Sequence, residues 1–138
     1  MKNGLLKELV CYIMIASGRE KMKENLLKTK SLAFSVRIVG LYRYLTEQKK
    51  EYILSKQILR SGTSIGANIY EANYGQSKVD FAAKLQIALK EAAETEYWLL
   101  LLTHTNYLEE SMGKSLNEDC LELKRLLISS VRTARDQK

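Results

Sequence analysis

Proline is absent from all 138 residues. No rigid turn or proline-rich linker interrupts the chain, which suits helices joined by short loops. Cysteine is scarce: Cys11 and Cys120 are the two, with no CxxC spacing. That argues against a disulfide scaffold or a zinc site, and for two ordinary thiols in a reducing cytoplasm. His104 is the only histidine. A catalytic triad or a His-bearing metal site would rest on it alone, and a structural or surface role fits it better.

Other chemistry is missing as well. The segment from Gly62 to Gly66 faintly resembles a phosphate loop but has no GK[ST] ending and no preceding strand. Glu71, Glu91, Glu94 and Glu96 raise the question of a di-metal carboxylate bundle, yet the Glu-x-x-His pairs of such sites do not occur. Solvated carboxylates, or ion pairs with Arg60 or Lys84, are the plainer reading. No catalytic residue, metal or cofactor is assigned, and the expectation is a protein that is not an enzyme.

The length fits one domain with a core of its own. The net charge is +6, unevenly spread. Residues 19–60 hold eleven Lys/Arg against four Glu, and residues 123–138 hold five Lys/Arg against one Asp. Between them, residues 61–122 hold four Lys against ten Asp/Glu. Basic ends around an acidic middle permit a polyanion site, or packing of unlike charges between subunits.

Residues 1–21 stand apart as an N-terminal extension before the expected domain, 22–138. The run LVCYIMIA at 9–16 is too short to span a bilayer, which takes roughly 20 apolar residues. Small residues at 16–18 suit a signal peptide, but Glu8 ahead of the run does not. A purine-rich codon stretch for Gly18-Arg19-Glu20 would look like a ribosome-binding site, which makes Met22 a plausible start.

Four helices are expected. The first covers 30–49, with Leu32, Val36 and Val39 on one side and Phe34, Ile38, Leu41 and Leu45 beside them. The second covers 52–74, with Leu54, Ile58, Ser61, Ile65, Asn68 and Ala72 on one face. Gly62 and Gly66, one turn apart, each cost ~1 kcal/mol against alanine, which close backbone approach would offset. Gly75 offers the left-handed conformation that ends a helix. Ser77 and Asp80 form a capping-box-like start for the third helix. It is expected to run to about Glu109, roughly 50 Å, and so to overhang its neighbours unless it bends or breaks. Its buried face is Phe81, Leu85, Ala88, Ala92, Thr95 and Leu99. Ser111, Gly113 and Asn117 mark a turn, and a fourth helix covers 115–135. Leu116, Cys120, Leu123 and Leu127 form its stripe, flanked by Leu121, Ile128 and Val131. The expected fold is an all-α, antiparallel up-down-up-down four-helix bundle.

Three groups of residues are candidates for function. Tyr97, Trp98, Leu99, Leu100, Leu101 and Leu102 are apolar in sequence without a break, which suggests a subunit interface; the alternative is a helix central to its own monomer. Ser61, Gly62, Ser64, Gly66 and Asn68 read as a packing and register device, with Glu91 or Glu94 as partner of the Asn68 amide. Basic residues form the third group: Arg37, Arg43, Lys49, Lys50, Lys56 and Arg60 early, Lys124, Arg125, Arg132 and Arg135 late. The first and last helices are neighbours in this topology, so the clusters are expected to merge into one surface suited to nucleic acid, or to be an ordinary solvated face. Tyr42, Tyr44 and Tyr52 would stack on bases, or pack in the core.

Two long segments carry a resemblance. GTSIGANIYEA at 62–72 and DFAAKLQIALKEAAETEYWL at 80–99 resemble the bacterial four-helix-bundle family named for the 23S ribosomal RNA intervening-sequence protein. The likeness spans roughly Glu24 to Arg132. It implies a cytoplasmic bundle that assembles as a ring-like homopentamer, away from any membrane. A related branch comprises accessory proteins of diversity-generating retroelements, basic pentamers that bind a reverse transcriptase and nucleic acid. The family carries no established catalytic residues. The resemblance therefore points to self-association and to structured RNA or a nucleic-acid-processing protein as partners, with a protein-binding scaffold lacking nucleic-acid affinity as the alternative.

Overall fold

The computed structural model describes residues 2–136. It consists of α1 (Lys2–Glu47), α2 (Leu54–Ala72), α3 (Lys78–His104) and α4 (Glu110–Asp136), and the described residues include no strand. α2 packs on α1 and α3, α4 packs on α3 and α1, and α1 does not reach α3. The four helices therefore occupy the corners of a square, with α1 and α3 on one diagonal.

Side-chain pairs fix the register of each seam. Ile38 of α1 meets Gly62 of α2, and Ser31 meets Gly66. Arg60 of α2 reaches Glu94 of α3, while Glu71 reaches Lys84. Lys124 of α4 meets Glu96 of α3, and Arg135 meets Gln86. Across the last seam, Lys23, Lys30 and Arg37 of α1 meet Ser129, Glu122 and Asp119 of α4. In every seam residue numbers rise along one helix as they fall along the other.

The core is a continuous apolar cluster drawn from all four helices, with Phe34, Ile38, Leu45, Ile58, Ile65, Leu85, Leu99, Leu116, Leu123 and Leu127 almost fully enclosed. The stripe read for the third helix is buried from Leu85 to Leu99, with Phe81 half-buried. Elsewhere the faces are rotated. Leu32 and Val36 point outward, and Phe34, Ile38, Leu41 and Leu45 carry the core side of that stretch, with Ser31 enclosed beside them and Tyr44 packed against it. In α2 the buried face runs through Gly62, Gly66 and Ile69, which leaves Leu54 and Asn68 half-buried. Ile128 on α4 is exposed.

Helix boundaries also correct the sequence reading. α3 ends at His104, so its 27 residues span about 40 Å. Asn106, at φ 66°, turns the chain, the short polar side chain tolerating that left-handed conformation. The overhanging helix is instead α1, whose 46 residues span about 69 Å. Ser111, Gly113 and Asn117 mark no turn: all lie inside α4, where Gly113 lets the helix close on Thr103. Gly75 does not adopt a left-handed conformation, and α2 ends without one at Asn73. Lys50 takes that conformation between α1 and α2, at φ 53°. Ser77 caps α3 as its sequence suggests, its hydroxyl accepting from Asp80 N at 3.1 Å.

Candidate nucleic-acid interface

The basic residues divide into paired and unpaired groups. Arg37 is tied across the α1–α4 seam, donating to Asp119 Oδ2 at 2.6 Å and Ser115 Oγ at 3.1 Å. Arg60 holds Glu91 at 3.2 Å and also Glu94, whose carboxylate accepts from Trp98 Nε1 at 3.0 Å. Burial is the largest single influence on its guanidinium and works against the charge, but Glu94 and Glu91 together outweigh it and hold the group further toward the charged form. Lys124 pairs with Glu96 at 2.7 Å. These three cations serve the bundle itself. Lys49 lies 5.9 Å from the centre of the Tyr44 ring, and Arg135 donates to Gln86 Oε1 at 3.4 Å. Arg43, Lys50, Lys56, Arg125 and Arg132 are exposed and make no ion pair or side-chain hydrogen bond among the described residues.

The unpaired cations do not merge into one surface along α1 and α4. Glu122 and Asp119 line that seam and neutralise Lys30 and Arg37. The register of the seam places Arg43, Lys49, Lys50 and Lys56 around the α1–α2 connection. Arg132 and Arg135 lie toward the opposite end, where Lys78 joins Arg135 in lining a hollow beside α3. Arg125 sits mid-helix in α4 next to the Lys124–Glu96 pair, and Lys49 shares a hollow with Glu109 and Glu110, so exposed cations stand toward both ends without forming a surface of one sign. Lys78 was no candidate in the sequence, because a lone lysine at a helix start carries no signal there.

The other groups resolve as follows. The Asn68 amide does not reach Glu91 or Glu94; it donates to Ser64 O one turn back at 2.8 Å, and Arg60 occupies both acids. The buried polar contact between helices is instead Ser61 with Thr95, at 2.9 Å. Ser64 turns to its own backbone at Arg60 O, 2.6 Å away. Of the apolar run, Leu99 and Leu102 are consumed by the core of their own chain, Trp98 and Leu101 are half-buried, and Tyr97 and Leu100 face outward. Tyr44 is packed against the core and Tyr42 is half-buried, which leaves Tyr52 exposed.

The other candidate groups are engaged within the bundle. Glu71, Glu91, Glu94 and Glu96 all sit in ion pairs, the first with Lys84 at 2.9 Å. His104 Nδ1 contacts Leu100 O within its own helix, at 2.9 Å. The Cys120 thiol donates to Ala92 O at 3.2 Å. Burial, then the Glu96 charge, push its pKa up to about 12, so it is no nucleophile at neutral pH. No described helix is long and apolar enough to cross a membrane.

Four helices around one core define a helical-bundle protein. The chain belongs to the 23S rRNA-intervening sequence protein family, whose model matches residues 23–129. It is also similar to the crystal structure of a protein of unknown function from the S23 ribosomal protein family of Bacteroides thetaiotaomicron. That likeness has 57% identity and a TM-score of 0.79, and covers 80% of this chain and 98% of the other. No curated protein matches. The part of α1 from Lys2 to Met22, nearly half of the helix, lies outside the family match.

Proposed function

We propose that this chain is a non-enzymatic, cytoplasmic protein that binds structured RNA, or a ribonucleoprotein, through its exposed basic residues. The observation that carries the reading is the sorting of cations. Arg37, Arg60 and Lys124 are spent on ion pairs, whereas Arg43, Lys50, Lys56, Arg125 and Arg132 are exposed without such partners. Exposed, unpaired cations are free to neutralise phosphates and release counterions. The family's association with ribosomal RNA makes RNA the natural polyanion. The reading extends to an up-down-up-down bundle assembled as a ring-like homo-oligomer, a pentamer by family resemblance. The opposed numbering in all four seams supports the first part, and the outward Tyr97 and Leu100 support the second.

The test is binding to a structured fragment of large-subunit ribosomal RNA across a salt series. Affinity should fall linearly on a log–log scale, with a slope of about −0.7 to −0.9 per phosphate neutralised. Charge reversal of Arg132 and Lys56 should flatten that slope. Undetectable affinity at low salt would leave a protein-binding scaffold as the better reading.

A further inference from the structure

The seam between α1 and α4 opens at one end into a hollow of about 420 Å³. Small-molecule sites occupy roughly 300–1,000 Å³, so the hollow is large enough to take one. Arg37, Gly40, Leu41 and Tyr44 form one wall, at the three- and four-residue spacing of a single helix face. Met112 and Leu116 of α4 form the other, and the α3–α4 connection contributes Leu108 and Glu109.

Two features of this hollow serve no purpose in the bundle. The first is Gly40, since glycine is a poor helix residue. At Gly62 that cost is offset, because a β-carbon would collide with Ile38. A β-carbon at Gly40 would meet nothing within 4 Å, so the bundle gains no contact from the missing side chain. What the glycine does is keep the wall of the hollow open. The second is Glu109. Its carboxylate is exposed and makes no ion pair or side-chain hydrogen bond among the described residues, although Arg37 lines the same hollow and Lys49 lines an adjoining one with it. Arg37 is taken by Asp119 and Ser115 instead, and Lys49 stands 5.9 Å from the centre of the Tyr44 ring.

The geometry points to an unpaired guanine base of an RNA chain as the occupant of this hollow. The inference rests on the RNA reading above and adds where a base is read. A flat ring fits between walls of leucine and methionine, and Tyr44 supplies an aromatic surface of the kind on which splayed-out bases stack. Met112 is about half exposed, and its thioether adapts to aromatic rings. Glu109 selects the base. An ionised carboxylate accepts two hydrogen bonds side by side. Guanine alone among the RNA bases sets two donors next to each other, N1–H and the N2 amino group, on its Watson–Crick edge. Adenine and cytosine place one amino group beside an acceptor, and uracil places one N–H between two acceptors. The flanking phosphates fall to other groups: Arg43, one residue before Tyr44, is exposed without an ion-pair partner, and Lys49 stands beside the same ring. A phosphate alone is a poor occupant, because Glu109 repels it. An aliphatic side chain of a protein partner would leave the Glu109 carboxylate unused.

The experiment titrates the full chain, at low salt, onto RNA hairpins that share a stem and differ in one loop base, G, A, C or U. The G hairpin should bind about 5- to 150-fold more tightly than the others, the discrimination a good bidentate contact supplies. Glu109→Gln should erase that preference without weakening the A hairpin. Gly40→Leu should erase it as well, with no fall in melting temperature, since the β-carbon it adds meets no neighbour in the bundle. Arg43→Glu should weaken all the hairpins by a similar factor, as loss of a phosphate contact does. Equal affinities, or a preference for another base, overturn the guanine site and leave the RNA reading standing. A G preference that survives both Glu109→Gln and Gly40→Leu overturns this hollow as its source. No binding to any hairpin overturns the RNA reading and this inference together. Free 5′-GMP and 5′-AMP, compared by calorimetry, test the source of the base: selective binding of 5′-GMP with no preference among the hairpins overturns RNA as the ligand.

Discussion

Gly62 lies directly against Ile38: a β-carbon on Gly62 would stand 2.8 Å from Ile38 Cγ1 and 2.9 Å from Cγ2. Ile38 is completely enclosed, so it has no room to retreat. Gly62→Ala should gain ~1 kcal/mol of helix propensity. It should lose about 1–3 kcal/mol to overpacking, for a net fall in melting temperature. Gly66→Ala is the control. Its β-carbon would be 3.3 Å from the Ser35 hydroxyl, which can rotate aside, so little or no loss is expected. Thermal unfolding of both variants checks the pair; equal stabilisation of the two would contradict the close-packing role of Gly62.

The α2–α3 seam depends on a small buried polar contact. Ser61 and Thr95 are both fully enclosed and share a hydrogen bond of 2.9 Å, while Thr95 Oγ1 also donates to Glu91 O at 2.8 Å. A threonine hydroxyl has one proton. With that proton on Glu91 O, Ser61 is the donor between the helices. Thr95→Val removes its acceptor and should cost about 1–3 kcal/mol. Pairing it with Ser61→Ala should cost less than the sum of the singles, by a coupling of about 0.5–3 kcal/mol. Urea unfolding of the four proteins measures that coupling, and strict additivity would mean the hydroxyls do not depend on each other.

Glu51 caps α2 from three residues ahead of it. Its carboxylate accepts from Ile53 N at 3.0 Å, Leu54 N at 2.9 Å and Ser55 N at 2.6 Å. Burial by itself would raise the Glu51 pKa; the backbone donors of Leu54, Ser55 and Ile53, with the Ser55 hydroxyl, outweigh it and hold the pKa below the ordinary 4.5. A carboxyl whose folded-state pKa is depressed adds stability that is complete above its unfolded value and is lost as pH falls through the folded one. Wild-type melting temperature should therefore drop below pH 4.5 more steeply than that of Glu51→Gln, a variant that should itself be less stable at pH 7 by about 0.5–2 kcal/mol. Parallel pH profiles for the two proteins would remove Glu51 as the source.

How much of this was legible in the sequence depended on whether a signal was periodic or relational. The α3 stripe from Leu85 to Leu99 could be read because its spacing is that of a helix and nothing competes with it. Leu32 and Val36 misled because apolar residues cover most of α1, so periodicity alone does not pick the core side. Asn68 misled because a short amide can satisfy itself on its own helix, a choice the spacing does not reveal. Glu51 escaped notice for the opposite reason: a capping glutamate outside the expected Ser/Thr/Asp/Asn set announces itself only through geometry. Lys50 likewise adopts a left-handed conformation without the glycine that would have marked it. The candidate basic residues were visible, but which of them are paired and which are free needed the acids placed opposite them.

The overhang of α1 gives the last prediction. From Gly4 to Arg19 every described side chain is exposed, Leu5, Leu6, Tyr12, Ile13 and Met14 among them. The first enclosed residue of α1 is Leu27, and Lys23 Nζ donates to Ser129 Oγ of α4 at 2.7 Å; ahead of them Glu20 is half-buried and lines a hollow with Thr133 and Ala134. A chain beginning at Met22 keeps Leu27 and Lys23. Surface changes away from such features shift stability by only about 0.5 kcal/mol. The shortened chain should therefore melt within about 2 °C of the full one and keep its native mass. It should also aggregate less, because a helix apolar on all sides seeks cover that the bundle does not supply. If the shortened chain instead unfolds or dissociates, the overhang belongs to the assembly, and the domain boundary at Met22 is wrong.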